Sequence, residues 1–160
     1  MIVISDTSVI INLYKVGHLE LLHQIFGKIR ITPGVLREIY EVPEEGKVIE
    51  EIDWITLYSP VNQAMVSKLL EELDLGESES IAAAHELGAD YLIIDESLER
   101  AVAERLNLKI VGILGVLLIA KEKGLIPVIG PVIVALRNGR FYLSDAIVNS
   151  VLKQTGETPE

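Results

Sequence analysis

Asp6, Glu38, Glu77 and Asp95 are the side chains of this 160-residue chain whose type and placement suit chemistry, with Glu79 as an alternative third member. All are carboxylates. An ionised carboxylate is costly to bury unless it is paired or bound to a cation. A group of mutually repelling carboxylates suits a hard divalent ion, held through oxygen ligands and retained waters. Such ions lower the pKa of a bound water and stabilise in-line attack on phosphorus. This chemistry needs no cysteine, histidine or serine nucleophile. The chain has no cysteine, and His18, His23 and His85 lack zinc-ligand spacing. No P-loop, G-x-G-x-x-G or G-x-S-x-G motif is present.

Each acid also has a plain structural reading. Asp6 or its neighbours Thr7 and Ser8 can cap a helix, as can Asp95 or Ser97. Asp74 and Glu77 have the spacing of a capping box. Glu38 can be a solvated helix residue. The catalytic reading rests on the acids as a set, so the elements that position them decide its weight.

Ile2–Ser5 is a short apolar run rich in β-branched residues and reads as a buried strand that delivers Asp6. Tyr91–Ile94 reads as another, delivering Asp95. Ile29–Thr32, Trp54–Tyr58 and Lys109–Val111 are further strands. Helices are predicted over Ser8–Lys15, Leu19–Phe26, from Pro33 to about Tyr40, Val61–Leu73, Glu77–Leu87, Leu98–Leu106, Val116–Lys123, Val132–Leu136 and Ser144–Lys153. Thr32-Pro33 is a helix start, with Thr as cap and Pro in the first turn. Glu41–Asp53 is acidic, contains Pro43 and Gly46, and reads as an exposed loop. Strands alternating with helices predict a parallel sheet covered on both faces. Ligands of such sheets bind beyond the carboxyl ends of the strands. Asp6 and Asp95 share that edge if their strands are neighbours. Helical phase places Glu38 at the border of the apolar arc Val35, Leu36, Ile39, Tyr40 and Val42, with Arg37 and Glu41 opposite. It also puts Glu77 on the face of Ile81 and Ala84, and turns Glu79 elsewhere in a regular helix.

The length predicts one domain, with a core large enough to need no covalent staple. No apolar run reaches the roughly 20 residues of a membrane span, and the N terminus lacks a basic signal-peptide region, so a cytoplasmic protein is expected. The net charge of −10 argues against a generic nucleic-acid binder. It is uneven, however. Residues 1–96 carry 18 acids and 6 bases, whereas residues 97–140 carry 7 bases and 3 acids. That basic stretch (Arg100, Arg105, Lys109, Lys121, Lys123, Arg137 and Arg140) is a candidate source of phosphate contacts. The tyrosines are scattered along the sequence and suggest no stacking platform.

The segments “ISDTSVIINL”, “PGVLREIY”, “LDLGESESIAAAHELGADYLIIDE” and “AVAERLNLKIVGILGVLLIAKEKGLI”, in this order and with this spacing of acids, resemble the PIN-domain family over nearly the whole chain. Small prokaryotic PIN-like proteins are similar also in the region of “LRNGRFYLSDAIVNSVLKQTGE”. The resemblance implies a PIN-like three-layer α/β/α fold around a central parallel sheet, in a single domain over 1–160 with a helical C-terminal part at about 125–155. It implies a ribonuclease dependent on Mg2+ or Mn2+, often the toxin of a toxin–antitoxin pair. Its partners would be RNA, single-stranded or structured, and an antitoxin protein; a homo-oligomer, a dimer first, is expected, with no membrane association. The family's acids fall on Asp6, Glu38, Glu77 and Asp95, with Glu96 beside the last. The flap-nuclease pattern of two glutamates one residue apart would use Glu77 and Glu79 together. Ser8 matches a hydroxyl that supports the first acid. Glutamate in place of the family's usual third aspartate is the departure, and it bears on metal geometry more than on fold.

Two other readings compete. A phosphohydrolase with an aspartate nucleophile fits Asp6 at a strand end, but it wants a second aspartate where Ser8 stands. A non-catalytic module for binding nucleic acid or protein would keep the fold without cleavage.

Overall fold

The structure, a computed structural model, describes residues 1–158; the last two positions of the domain expected over 1–160 lie outside the described residues. Five short strands form the sheet: β1 (Val3–Ser5), β2 (Ile29–Ile31), β3 (Ile55–Leu57), β4 (Tyr91–Ile93) and β5 (Ile110–Val111). Their order is β3-β2-β1-β4-β5 and every pairing is parallel. The helices are α1 (Thr7–Lys15), α2 (Glu20–Phe26), α3 (Pro33–Ile39), α4 (Pro43–Glu50), α5 (Gln63–Leu69), α6 (Leu75–Leu87), α7 (Ser97–Arg105), α8 (Ile113–Glu122), α9 (Gly130–Asn138) and α10 (Asp145–Thr155).

Alternate strand residues face opposite sides of the sheet, as the period of two requires. Val3, Ile29, Ile31 and Ile93 enter one apolar layer with residues of α1, α2 and α8, and α9 and α10 extend that layer. Ile4, Leu92 and Ile94 enter the other, against α5, α6 and α7. Both faces are thus covered, which explains why the strands are apolar runs without a polar face. The result is the three-layer α/β/α arrangement expected from the alternation of elements. Among the described residues, no helix is long and apolar enough to cross a membrane.

The stretch 41–53 differs from its reading as a loop. It contains α4, which begins with Pro43 in its first turn and Glu44 and Glu45 beside it, and it buries Ile49. Proline in a first helical turn starts a helix, because its missing N–H would have had no partner there. Gly46 is helical for a different reason. The ring of Tyr40 lies so close that a Cβ on residue 46 would meet its Cδ1 at 2.5 Å. Here glycine marks a close crossing, and the acidic composition hid a helix that buries one side.

A second close approach positions the site. α3 packs on α6 through Gly34 and Gly76: a Cβ on Gly34 would sit 3.0 Å from Leu75 Cγ and 3.3 Å from Gly76 Cα. Overpacking of this kind typically costs about 1–3 kcal/mol. We expect Gly34→Ala to lower stability by that amount in urea unfolding. An unchanged midpoint would show that the two helices can separate freely.

Candidate active site

The β1–β4 pairing brings Asp6 and Asp95 to one edge. Ser5 is in register with Ile93, and the Asp6 N–H donates to the Ile93 carbonyl at 3.0 Å. Each acid is the next, or next but one, residue after its strand. Asp6 is also the N-cap of α1, in extended backbone, and its Oδ1 accepts from Val9 N at 3.3 Å. The capping reading is therefore met, by a side chain that stands at the same sheet edge as Asp95. Asp6 is only 3% exposed. Burial pushes its carboxyl up to about 7; the charges of Asp95 and Glu77 add to this, against the Glu99 contact and Val9 N–H, which lower it.

Glu38 lies on the inner border of α3 and ties three elements together. Its Oε2 accepts from the Thr7 hydroxyl at the start of α1, and its Oε1 accepts from Gly76 N in the first turn of α6 at 3.1 Å. Burial raises its carboxyl above the usual range. Gly76 is needed here, because a Cβ at that position would run into the Glu38 carboxylate.

Asp95 is held by α7 and α8. Oδ1 pairs with Arg100 Nη2 at 2.8 Å, and Oδ2 accepts from Ile113 N, the first N–H of α8, at 2.9 Å. Burial still raises its carboxyl, against these donors. Gly112 makes the arrangement possible: any Cβ there would occupy the place of the Arg100 guanidinium and stand 2.8 Å from Asp95 Oδ1.

The two glutamates of α6 part company. Glu77 closes a capping box with Asp74, with Glu77 N on Asp74 Oδ1 at 2.8 Å and Asp74 N on Glu77 Oε1 at 3.0 Å. Burial raises the Glu77 carboxyl, and Glu77 in turn raises Asp6. Glu79 is buried and turned toward the start of α3, where its Oε1 accepts from Gly34 N. It secures the α3–α6 crossing. Glu96 is exposed at the N-cap of α7 and caps nothing with its side chain. The Ser8 hydroxyl stands 3.5 Å from Asn12 Nδ2 and bonds no acid among the described residues. The hydroxyl that supports an acid belongs to Thr7, and the acid it supports is Glu38.

Glu99 is the residue that sequence reasoning missed. It is fully buried, and neither of its oxygens meets a hydrogen-bond donor. Its neighbour is the Asp6 carboxyl, which can share a hydrogen bond with it only when one of the two holds a proton. Burial first, and Asp6 second, push Glu99 far above the ordinary range, so of the pair it keeps the proton at neutral pH. The signal was present. Val102, Ala103 and Leu106 follow Glu99 at i+3, i+4 and i+7, which puts Glu99 on the inward face of α7. Asp74 was also seen only as a cap; it adds negative charge at Glu38 and Glu99.

Among the described residues, no three His, Cys, Asp or Glu side chains converge closely enough to hold an ion. Backbone N–H groups, Thr7 and Arg100 hold the carboxylates in place instead. The chemistry of the donor set still fits one kind of group. All donors are carboxylate oxygens, one buried acid has no partner, and the carboxyls of Asp6, Glu38, Glu77, Asp95 and Glu99 are all raised. A hard divalent cation is the group whose chemistry suits such a donor set.

No curated protein matches the chain. The family model DUF3368, described as a PIN domain, matches residues 2–157. PIN domains are in general nucleases and typically use divalent metals. An all-parallel sheet covered on both faces, with acids at its carboxyl edge, and a family match over nearly the whole length lead to one conclusion: the chain belongs to the PIN-domain family.

Proposed function

We propose that this protein is an endoribonuclease that depends on a divalent metal, Mg2+ or Mn2+, with Asp6, Glu38, Glu77 and Asp95 as the acids that hold the ion. The observation that carries the reading is the buried Asp6–Glu99 pair, two carboxyls in contact with no donor for Glu99, at the edge where Asp95 and Glu77 add further negative charge. A fold spends stability on such a group only if something else relieves it. When bound, the ion neutralises these acids and stabilises charge developing on a phosphodiester. Glu38 fixes the start of α1 against α6, so the two acids those helices carry keep their separation. Glu79, committed to Gly34, is left out of the metal set in this reading.

Two measurements test it. Millimolar Mg2+ or Mn2+ is expected to raise the melting temperature. Saturation at a hundredfold excess over Kd stabilises by about 2.7 kcal/mol, worth several degrees in a domain of this size. No shift in wild type, or the same shift in Asp6→Asn, would remove the ion site. Cleavage of a single-stranded RNA panel with metal, and with chelator, reads the activity itself. A toxin role with an antitoxin partner is the next step of this reading; expression in a host would show it as growth arrest abolished by Asp6→Asn.

One observation favours a second reading. Arg100 and the Ile113 N–H already satisfy both oxygens of Asp95. A module that binds nucleic acid without cutting it would keep this arrangement, and it would show RNA binding with no cleavage at any metal concentration.

A further inference from the structure

The basic stretch 97–140 is not one surface. Arg105 pairs with Glu72, Lys121 with Glu157, and Arg137 with Asp145. Of its cations, Arg100 and Arg140 line the groove that contains Asp95 and Ser8. That groove has a volume of about 1020 Å³ and runs from the acid edge to the segment between α9 and α10.

Its far wall is a fixed platform. Arg140 takes a left-handed backbone, φ 68°, which a residue with a Cβ adopts only when its surroundings hold it. They do. Phe141 N donates to the Leu136 carbonyl at 3.0 Å and its ring packs against the core. Arg137 Nη2 donates to the Leu143 carbonyl at 2.6 Å. The residue between these two anchors, Tyr142, is left 85% exposed on the groove wall. Large aromatic rings are usually drawn into a core. Here Phe141 takes the inner position and Tyr142 is held outward, beside Arg140, which forms no ion pair among the described residues.

We infer that Tyr142 and Arg140 form a subsite for single-stranded RNA, with a base stacked on the Tyr142 ring and an adjacent phosphate on Arg140, in the groove that leads to Asp95. The inference rests on the nuclease reading of the acid edge. Base stacking on an aromatic ring is tolerant of sequence, because every base has a π face. It also requires an unpaired base, so the subsite selects single strands over duplex. An RNA chain suits the groove better than a protein segment for two reasons: the groove is continuous with an acid edge suited to a phosphodiester, and an unneutralised guanidinium stands next to a free ring.

The test is binding, measured by fluorescence anisotropy with labelled oligo-U, oligo-A and a matched RNA duplex, in the protein with Asp6 intact and calcium in place of magnesium to hold the RNA uncut. Tyr142→Ala is expected to weaken binding of both single strands roughly 5- to 100-fold and to leave duplex binding unchanged. Tyr142→Phe is expected to retain affinity. Arg140→Ala should reduce the salt slope by about one unit, whereas Arg105→Ala, away from the groove, should leave it as it is. Tyr142 makes no core contact, so melts of Tyr142→Ala and Tyr142→Phe should coincide with that of their parent. Equal affinity of Tyr142→Ala and its parent for single strands would overturn the inference, as would an equal loss for duplex, or a loss in Tyr142→Phe. A parent that binds no RNA, or a groove that captures only a protein, would overturn it too. The outcome is independent of cleavage: Tyr142-dependent binding by a wild type that never cuts RNA would refute the nuclease reading and leave the subsite standing.

Discussion

Asp6→Asn is expected to lower metal-dependent RNA cleavage by orders of magnitude while the protein stays folded and melts at an equal or higher temperature. The two halves of this result have separate causes. Asparagine caps a helix about as well as aspartate, so the bond from Val9 N and the start of α1 survive. It also removes one partner of the buried Asp6–Glu99 pair, so Glu99 no longer faces a carboxylate and repulsion from Asp95 and Glu77 is relieved. What it cannot supply is the negative oxygen that a divalent ion requires. Cleavage of the single-stranded panel and thermal melts in chelator read the two halves independently. Full activity in the variant would return Asp6 to the role of a cap.

The second large effect is an inverted pH dependence. Asp6 titrates near 3.8 in the unfolded chain and is raised to about 7 in the fold. Between those values the folded protein binds more protons than the unfolded one. Stability from this group is therefore complete at the low end of the window and lost as pH rises toward 7, and Glu99, raised further, extends the loss beyond it. Glu157 acts in the opposite sense. Despite partial burial, the N–H groups of Ile129 and Gly130 and the Lys121 ammonium hold it down to about 2, so its stability is lost only between about 4.5 and 2. Between pH 7 and pH 5 the metal-free protein should thus gain roughly 1–3 kcal/mol. Urea unfolding across that range in chelator is the measurement. Glu99→Gln should stabilise the protein at pH 7.5 by a similar amount, because the amide needs no proton to stay neutral and can donate to Asp6. It should also flatten the pH dependence. A stability that falls from pH 7 to pH 5, or a Glu99→Gln variant that is less stable at both ends, would mean that the buried pair is already satisfied.

Strand positions and their common direction could be read from the chain because buried parallel strands are apolar throughout and end abruptly. Asp6 and Asp95 followed from that alone. Glu38 and the Thr32 cap could be read from helical phase and from a residue pair with one strong meaning. Three features could not. α4 carries Pro43 and Gly46, which signal a turn unless it is known that the Tyr40 ring lies where a Cβ would stand. Glu79 looked like a second metal candidate, and only the α3–α6 crossing shows that Gly34 takes its carboxylate. Glu99 is hidden by chemistry rather than by pattern. Its place on the inward face of α7 is plain, yet a charged residue at a core position is ordinarily dismissed as an error of phase. The exposure of Tyr142 likewise shows only once Phe141 and Arg137 anchor the segment around it.

The strand order has a consequence for how the protein is made. β1 leaves the ribosome first, but its second neighbour, β4, is separated from it by more than half the chain. Contacts so distant in sequence form late, since the intervening chain must close first. Asp95 gains its backbone donor only when Ile113 has emerged. A nascent chain that ends before β4 therefore carries Asp6, Glu38 and Glu77 without the acid edge they share with Asp95 and Glu99.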